Sequence, residues 1–158
     1  MIPNLANYDN LLAKLEYDLQ RYLENNHTYS MLDCLMGINA IPEWILHTDT
    51  APAQLKTIAA QKIEVMKGVG FIFDPANLDA DLDTQLGFVR LTCNHSKHKT
   101  DSPHIPRIKT IGAATFPMVF PATFTPMMFI GDKQVNAAKI IKAALDFWKV
   151  QFERFPII

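Results

Sequence analysis

The chain has 158 residues, 49% of them hydrophobic and 20% charged, and a formal net charge of -1. That balance excludes a disordered polar tail, which is poorer in apolar side chains, and a global positive field able to hold a polyanion. A chain of this length forms one domain, residues 1–158, burying about 68% of the surface its unfolded form exposes. It contains no run of about 18 apolar residues, and its first residues lack the basic-then-apolar order of a secretory signal. A soluble, cytoplasmic protein with no membrane partner is therefore expected.

From Tyr8 to Glu24 the residues Leu11, Leu12, Leu15, Leu19, Tyr22 and Leu23 recur at helical spacing, with Asn7 or Asp9 as the N-cap. The polar run Glu24 to His27 ends this helix, and a loop so short makes the next one antiparallel to it. The second helix, about 29–47, carries Met31, Leu32, Leu35, Met36, Ile38, Trp44 and Ile45, and Pro42 is expected to bend or split it. Glu43 in this helix faces either solvent or a buried pair with Arg90. Pro52 is placed to open a third helix that runs to Gly68. The segment 70–83 has too few periodic apolar residues for another long helix.

Leu82 to His98 reads as the fourth helix, with Leu82, Leu86, Val89 and Cys93 on one face, although Gly87 costs it about 1 kcal/mol relative to alanine. Asp101-Ser102-Pro103 stops it. Beyond Ile105, threonines, aromatics and Pro117, Pro121 and Pro126 favour short strands at a sheet edge, or a two-stranded ribbon connected near Phe120 to Thr123. Gly131-Asp132 is a turn, either within a hairpin or just ahead of the last helix. That helix, Val135 to Phe155, presents Val135, Ala138, Ile141, Leu145, Trp148 and Phe152 in a stripe wide enough for more than one neighbour. The fold expected is mainly α: a bundle of four or five helices with a small β-ribbon inserted before the C-terminal helix.

Chemistry concentrates between residues 86 and 109. Window 95–109 holds Lys97, Lys99, Arg107, Lys109, His95, His98 and His104 against Asp101 alone, whereas Asp74, Asp79, Asp81 and Asp83 precede it. On an α-helix Lys97 lies about 20° from Arg90, Asn94 about 40° and His98 about 80°, while His95 lies about 140° away. Arg90, Asn94, Lys97 and His98 can thus converge. Arginine and lysine would hold a phosphate, an amide would orient it, and an imidazole would move a proton. With RNA the 2′-hydroxyl supplies the nucleophile, so metal-independent cleavage is the chemistry to test.

Structural roles compete with that reading. Arg90 could neutralise the 79–83 acidic run, Asn94 could cap the helix end, and Lys97 and Lys99 could complement the helix dipole. His95 and His98 with His47, His104 or Asp101 make a weak metal alternative. No Gly-rich phosphate loop, H-E-x-x-H motif or triad around Ser96 is present, so no cofactor is expected. Cys34 and Cys93 lack metal spacing and read as buried free thiols, which suits a reducing compartment.

Arg90-Leu-Thr-Cys-Asn-His95 resembles the arginine, four to six residues, histidine motif of HEPN-type helical domains, with Leu91 where a polar residue is usual. The resemblance implies a helical-bundle ribonuclease of toxin–antitoxin or phage-defence systems, or an inactive relative. It further implies a homodimer with Arg90 and His95 as the catalytic pair. Arg90, Cys93-Asn94, Lys97-His98 and Trp148 also resemble a looser pattern in uncharacterised bacterial and phage helical proteins, which favours His98. The candidate catalytic residues are therefore Arg90, Asn94, His95 and His98, with Lys97 and Lys99 binding substrate. The opposing expectation is a nonenzymatic module that meets a protein partner through the aromatic last helix and the proline-rich ribbon.

Overall fold

The structure, a computed structural model, describes residues 5–110 and 126–157. Helix α1 spans Tyr8–Asn25, α2 Thr28–Leu46 and α3 Ala53–Lys67. A 3-10 turn at Pro75–Asn77 precedes α4, Leu82–His98. Strands β1 (Arg107–Thr110), β2 (Pro126–Ile130) and β3 (Lys133–Val135) follow, and α5 closes the chain at Ala137–Arg154. The expected mainly α bundle with a ribbon before its last helix is what forms, with five long helices.

Local chemistry sets the helix ends. The Asn7 side chain accepts the Asn10 N–H at 3.1 Å and starts α1. Asn26, left-handed at φ 46°, stops it by donating its N–H to the Tyr22 carbonyl. Gly68, at φ 80°, ends α3 in the same manner, where a side chain would be strained. Pro52 is the residue before α3 rather than its first turn, and no side chain caps that end.

The helix α2 occupies the centre, packing against α1, α3, α4 and α5. Cys34, Leu35, Ile38, Ile41 and Ile45 are fully buried along one broad face, while Asp33 and Glu43 lie on an exposed side. Pro42 does not split it: α2 runs unbroken through that residue, which is itself buried. Gly37 permits the closest helix approach, since a Cβ there would fall 2.1 Å from Leu15 Cδ2 of α1. Tyr8 of α1 meets Phe152 of α5 with ring centroids 4.6 Å apart, and Trp148 is wholly enclosed beside them.

The ribbon is a three-stranded antiparallel sheet in order β1-β2-β3. Arg107 pairs with Phe129 across β1 and β2, and Met128 with Val135 across β2 and β3. Gly131-Asp132 therefore turns the β2–β3 hairpin, the first of the two alternatives, and Val135, expected in the last helix, instead ends β3, so that α5 starts at Ala137. Strand alternation puts Met128 and Ile130 on one face with Val135, and all three are buried against the helices. The proposed connection near Phe120 to Thr123, with Pro117 and Pro121, lies outside the described residues.

Candidate functional site

The fourth helix begins on an aspartate cap. Asp81 accepts the Thr84 N–H at 2.7 Å and the Thr84 hydroxyl at 2.6 Å, bonds that hold its carboxyl below the usual carboxylate range. Asp83 is bound by Lys62 of α3 at 2.6 Å. Asp79 is bound by Lys133 of β3 at 2.9 Å, and that ammonium lowers its pKa. The acidic run is thus engaged by α3, by β3 and by the helix start, and it does not use Arg90. Glu43 also leaves Arg90 alone, being exposed and 3.8 Å from His47.

Midway along α4, Leu86, Phe88, Val89 and Cys93 are buried. Gly87, which weakens a helix in isolation, is where Phe73 packs: a Cβ would stand 3.2 Å from the Phe73 ring. The His104 ring meets the edge of the same phenyl group at 5.3 Å between centroids. Burial pushes the Cys93 thiol up to about 11, an effect partly offset by Lys97 and Arg90, whose charges reach it. Those two cations therefore act on the same stretch of α4.

Helix geometry is regular through His98, so Arg90, Asn94, Lys97 and His98 share one face within about 100° of arc. Arg90 and Asn94 are half-buried, while Lys97 and His98 are exposed. Among the described residues Arg90 makes no ion pair or hydrogen bond. Lys99 leaves the helix in a left-handed conformation at φ 47° and donates its N–H to the His95 carbonyl at 2.9 Å.

His95 is held apart from that face. Its Nδ1 lies 3.1 Å from the Thr100 carbonyl oxygen, which can only accept, so Nδ1 carries the proton. In the neutral ring Nε2 is then left with the lone pair. Arg90 and His95, the pair implied by the HEPN-like motif, lie on different faces of one helix, whereas Arg90 and His98 lie on the same face. Among the described residues no three His, Cys, Asp or Glu side chains assemble as a metal site requires, so the His95–His98 cluster gains no third ligand there.

Asn94 makes no hydrogen bond to a helix end among the described residues, so the capping role considered for it is filled by Lys99 backbone geometry instead. Thr100 and Phe73, which anchor His95 and His104, carry no signal in sequence: one contributes only a backbone carbonyl, and the other acts through a contact across the fold. Cys34 and Cys93 are both buried free thiols, as expected. Among the described residues no helix is long and apolar enough to cross a membrane.

The architecture defines a five-helix bundle with an appended antiparallel sheet and a cationic face at the end of α4. No family model, curated protein or solved structure matches the chain.

Proposed function

We propose that the cationic face of α4 handles RNA phosphodiesters, cleaving them without a metal as an HEPN-like ribonuclease does or binding them as an inactive relative would. One observation carries this reading: Arg90, half-buried, has no counter-charge among the described residues, while its acidic neighbours are taken by other groups. An arginine left half-desolvated and unpaired suits a phosphate, which its guanidinium can hold through two parallel hydrogen bonds.

With the phosphate held between Arg90 and Lys97, and Asn94 orienting it, His98 takes the proton of the RNA 2′-hydroxyl. O2′ then attacks phosphorus, the bond to the 5′-oxygen breaks, and a protonated imidazole or water gives that oxygen its proton. The products are a 2′,3′-cyclic phosphate and a free 5′-hydroxyl. His95 presents an Nε2 already set as an acceptor, but acting with Arg90 it requires a second copy of the chain, since one α4 turns the two residues apart.

Purified protein incubated with mixed RNA and excess chelator tests this directly. Arg90→Ala and the alanine variant of the acting histidine should each lose about 10²-fold or more in rate, the range for removing a positioned acid–base group. Lys97→Ala and Lys99→Ala should weaken binding and flatten its salt dependence. Folded wild type that neither cleaves nor binds RNA across a range of pH and salt refutes the reading.

Against a nonenzymatic module built on the aromatic last helix stands the burial of Trp148 and Phe152, which the core uses. What α5 does expose is a different stripe.

A further inference from the structure

On its inner side α5 gives Ile140, Ile141, Ala144, Leu145, Trp148 and Phe152 to the core. Its outer side carries Lys139, Ala143, Asp146 and Val150, spaced four, three and four residues apart and therefore within about 60° of arc. Val150 is 55% exposed, a large apolar side chain in water on an otherwise charged face. The stripe borders a groove of about 510 Å³ whose far wall includes Leu82 and Gln85 of α4, with Phe147 half-buried along it.

The two charges on this stripe are in no close ion pair, although Asp146 acts through space on Lys149. Neither Lys139 nor Asp146 forms an ion pair with a described residue; Asp79 feels Lys139 through space but is bonded to Lys133. Lys142 and Lys149 lie off the stripe, and Lys149 is held by Glu16 at 2.5 Å.

We propose that this stripe is the docking face for a second copy of the chain, with α5 packed antiparallel against its equivalent about a two-fold axis beside Ala143. The small Ala143 side chain lets the helices approach at the axis. Two turns separate Lys139 from Asp146, so reversing one helix against the other sets each Lys139 opposite the partner's Asp146. Charge complementarity selects this occupant: the stripe satisfies both of its charges by meeting itself reversed, while a parallel pairing opposes like charges. One helix crossing falls at the small end of interface sizes, below about 1,200 Å² in total, so the dimer is a weak, reversible one.

Sedimentation velocity across the micromolar range reads this equilibrium. Wild type should pass from monomer to dimer. Lys139→Glu and Asp146→Lys, both at exposed positions, should each weaken association about tenfold or more, with circular dichroism unchanged. The double variant Lys139→Glu/Asp146→Lys should recover it, and an equimolar mixture of the two single variants should associate, because one presents only negative and the other only positive charge. Wild type monomeric throughout, a dimer indifferent to the single reversals, or a double variant that fails to recover would each overturn the proposal. Its fate is separate from that of the RNA reading: Arg90→Ala should leave the association constant unchanged.

Discussion

At the scale of the residue, Gly37 has the sharpest steric constraint in the molecule. Alanine raises intrinsic helix stability by up to about 1 kcal/mol at an exposed position. Here its methyl would fall 2.1 Å from Leu15 Cδ2 and 3.0 Å from Leu15 Cγ, and Leu15 is fully buried and has little room to withdraw. Overpacking of this kind costs about 1–3 kcal/mol. Gly37→Ala should therefore destabilise the protein by a net of up to about 2 kcal/mol, seen as a lower urea midpoint with an unchanged slope. The two thiols make a second test at this scale. Burial pushes Cys34 up to about 12, with Asp18 and Asp33 adding to the rise, and Cys93 up to about 11. As the thiolate is the reactive form, iodoacetamide at pH 8 should modify neither until denaturant unfolds the chain, and mass spectrometry would register the exception.

Some residue roles were legible from spacing and others were not. Asn7 and Gly68 announce helix ends because capping is a local event. The convergence of Arg90, Asn94, Lys97 and His98 was equally readable, since a regular helix fixes it. Gly37 and Gly87 carried no such signal, because their value lies in what leans on them from another part of the chain. The partners of the acidic run were also hidden: Asp79 and Asp83 find Lys133 and Lys62, residues far away in sequence.

At the scale of the element, α4 shows how a cap ties a helix to pH. Asp81 accepts two hydrogen bonds as a carboxylate, so its folded pKa lies below the value of about 3.9 for an unperturbed aspartate. A depressed value means the contribution is complete above the unfolded pKa and disappears as pH falls through the folded one. Asp81→Ala should cost about 1 kcal/mol at neutral pH, as loss of a helix cap does. Asp81→Asn keeps an acceptor without the titration, so urea unfolding from pH 7 down to pH 2 should find the variant less acid-sensitive than wild type. Helices α1, α3 and α5 were readable from their apolar spacing because each keeps a polar side. The sheet was less so: β3 is only three residues long, too short to establish an alternation.

At the scale of the whole molecule, the bundle is built around α2, which packs against each of the other four helices. Pro42 was expected to bend or split α2; the helix is not split, and burial of Pro42 itself in the core outweighs the lost backbone hydrogen bond. The wide apolar stripe of α5 pointed to more than one neighbour, internal helices or a second subunit, and internal helices use it: α5 packs against α1, α2 and α4 with Trp148 and Phe152 in the core. Periodicity tells which side of a helix is apolar, and not which neighbours will use it.

The central placement of α2 bears on how the protein acquires order. Excised from its surroundings, that segment would present Cys34, Leu35, Ile38, Ile41 and Ile45 to water, with only Asp33 and Glu43 as charged side chains to keep it dissolved. Each of the other four helices also lacks a backing until it arrives. Partial assemblies are consequently penalised, and the chain gains its stability in a single concerted step rather than by successive addition of independent pieces.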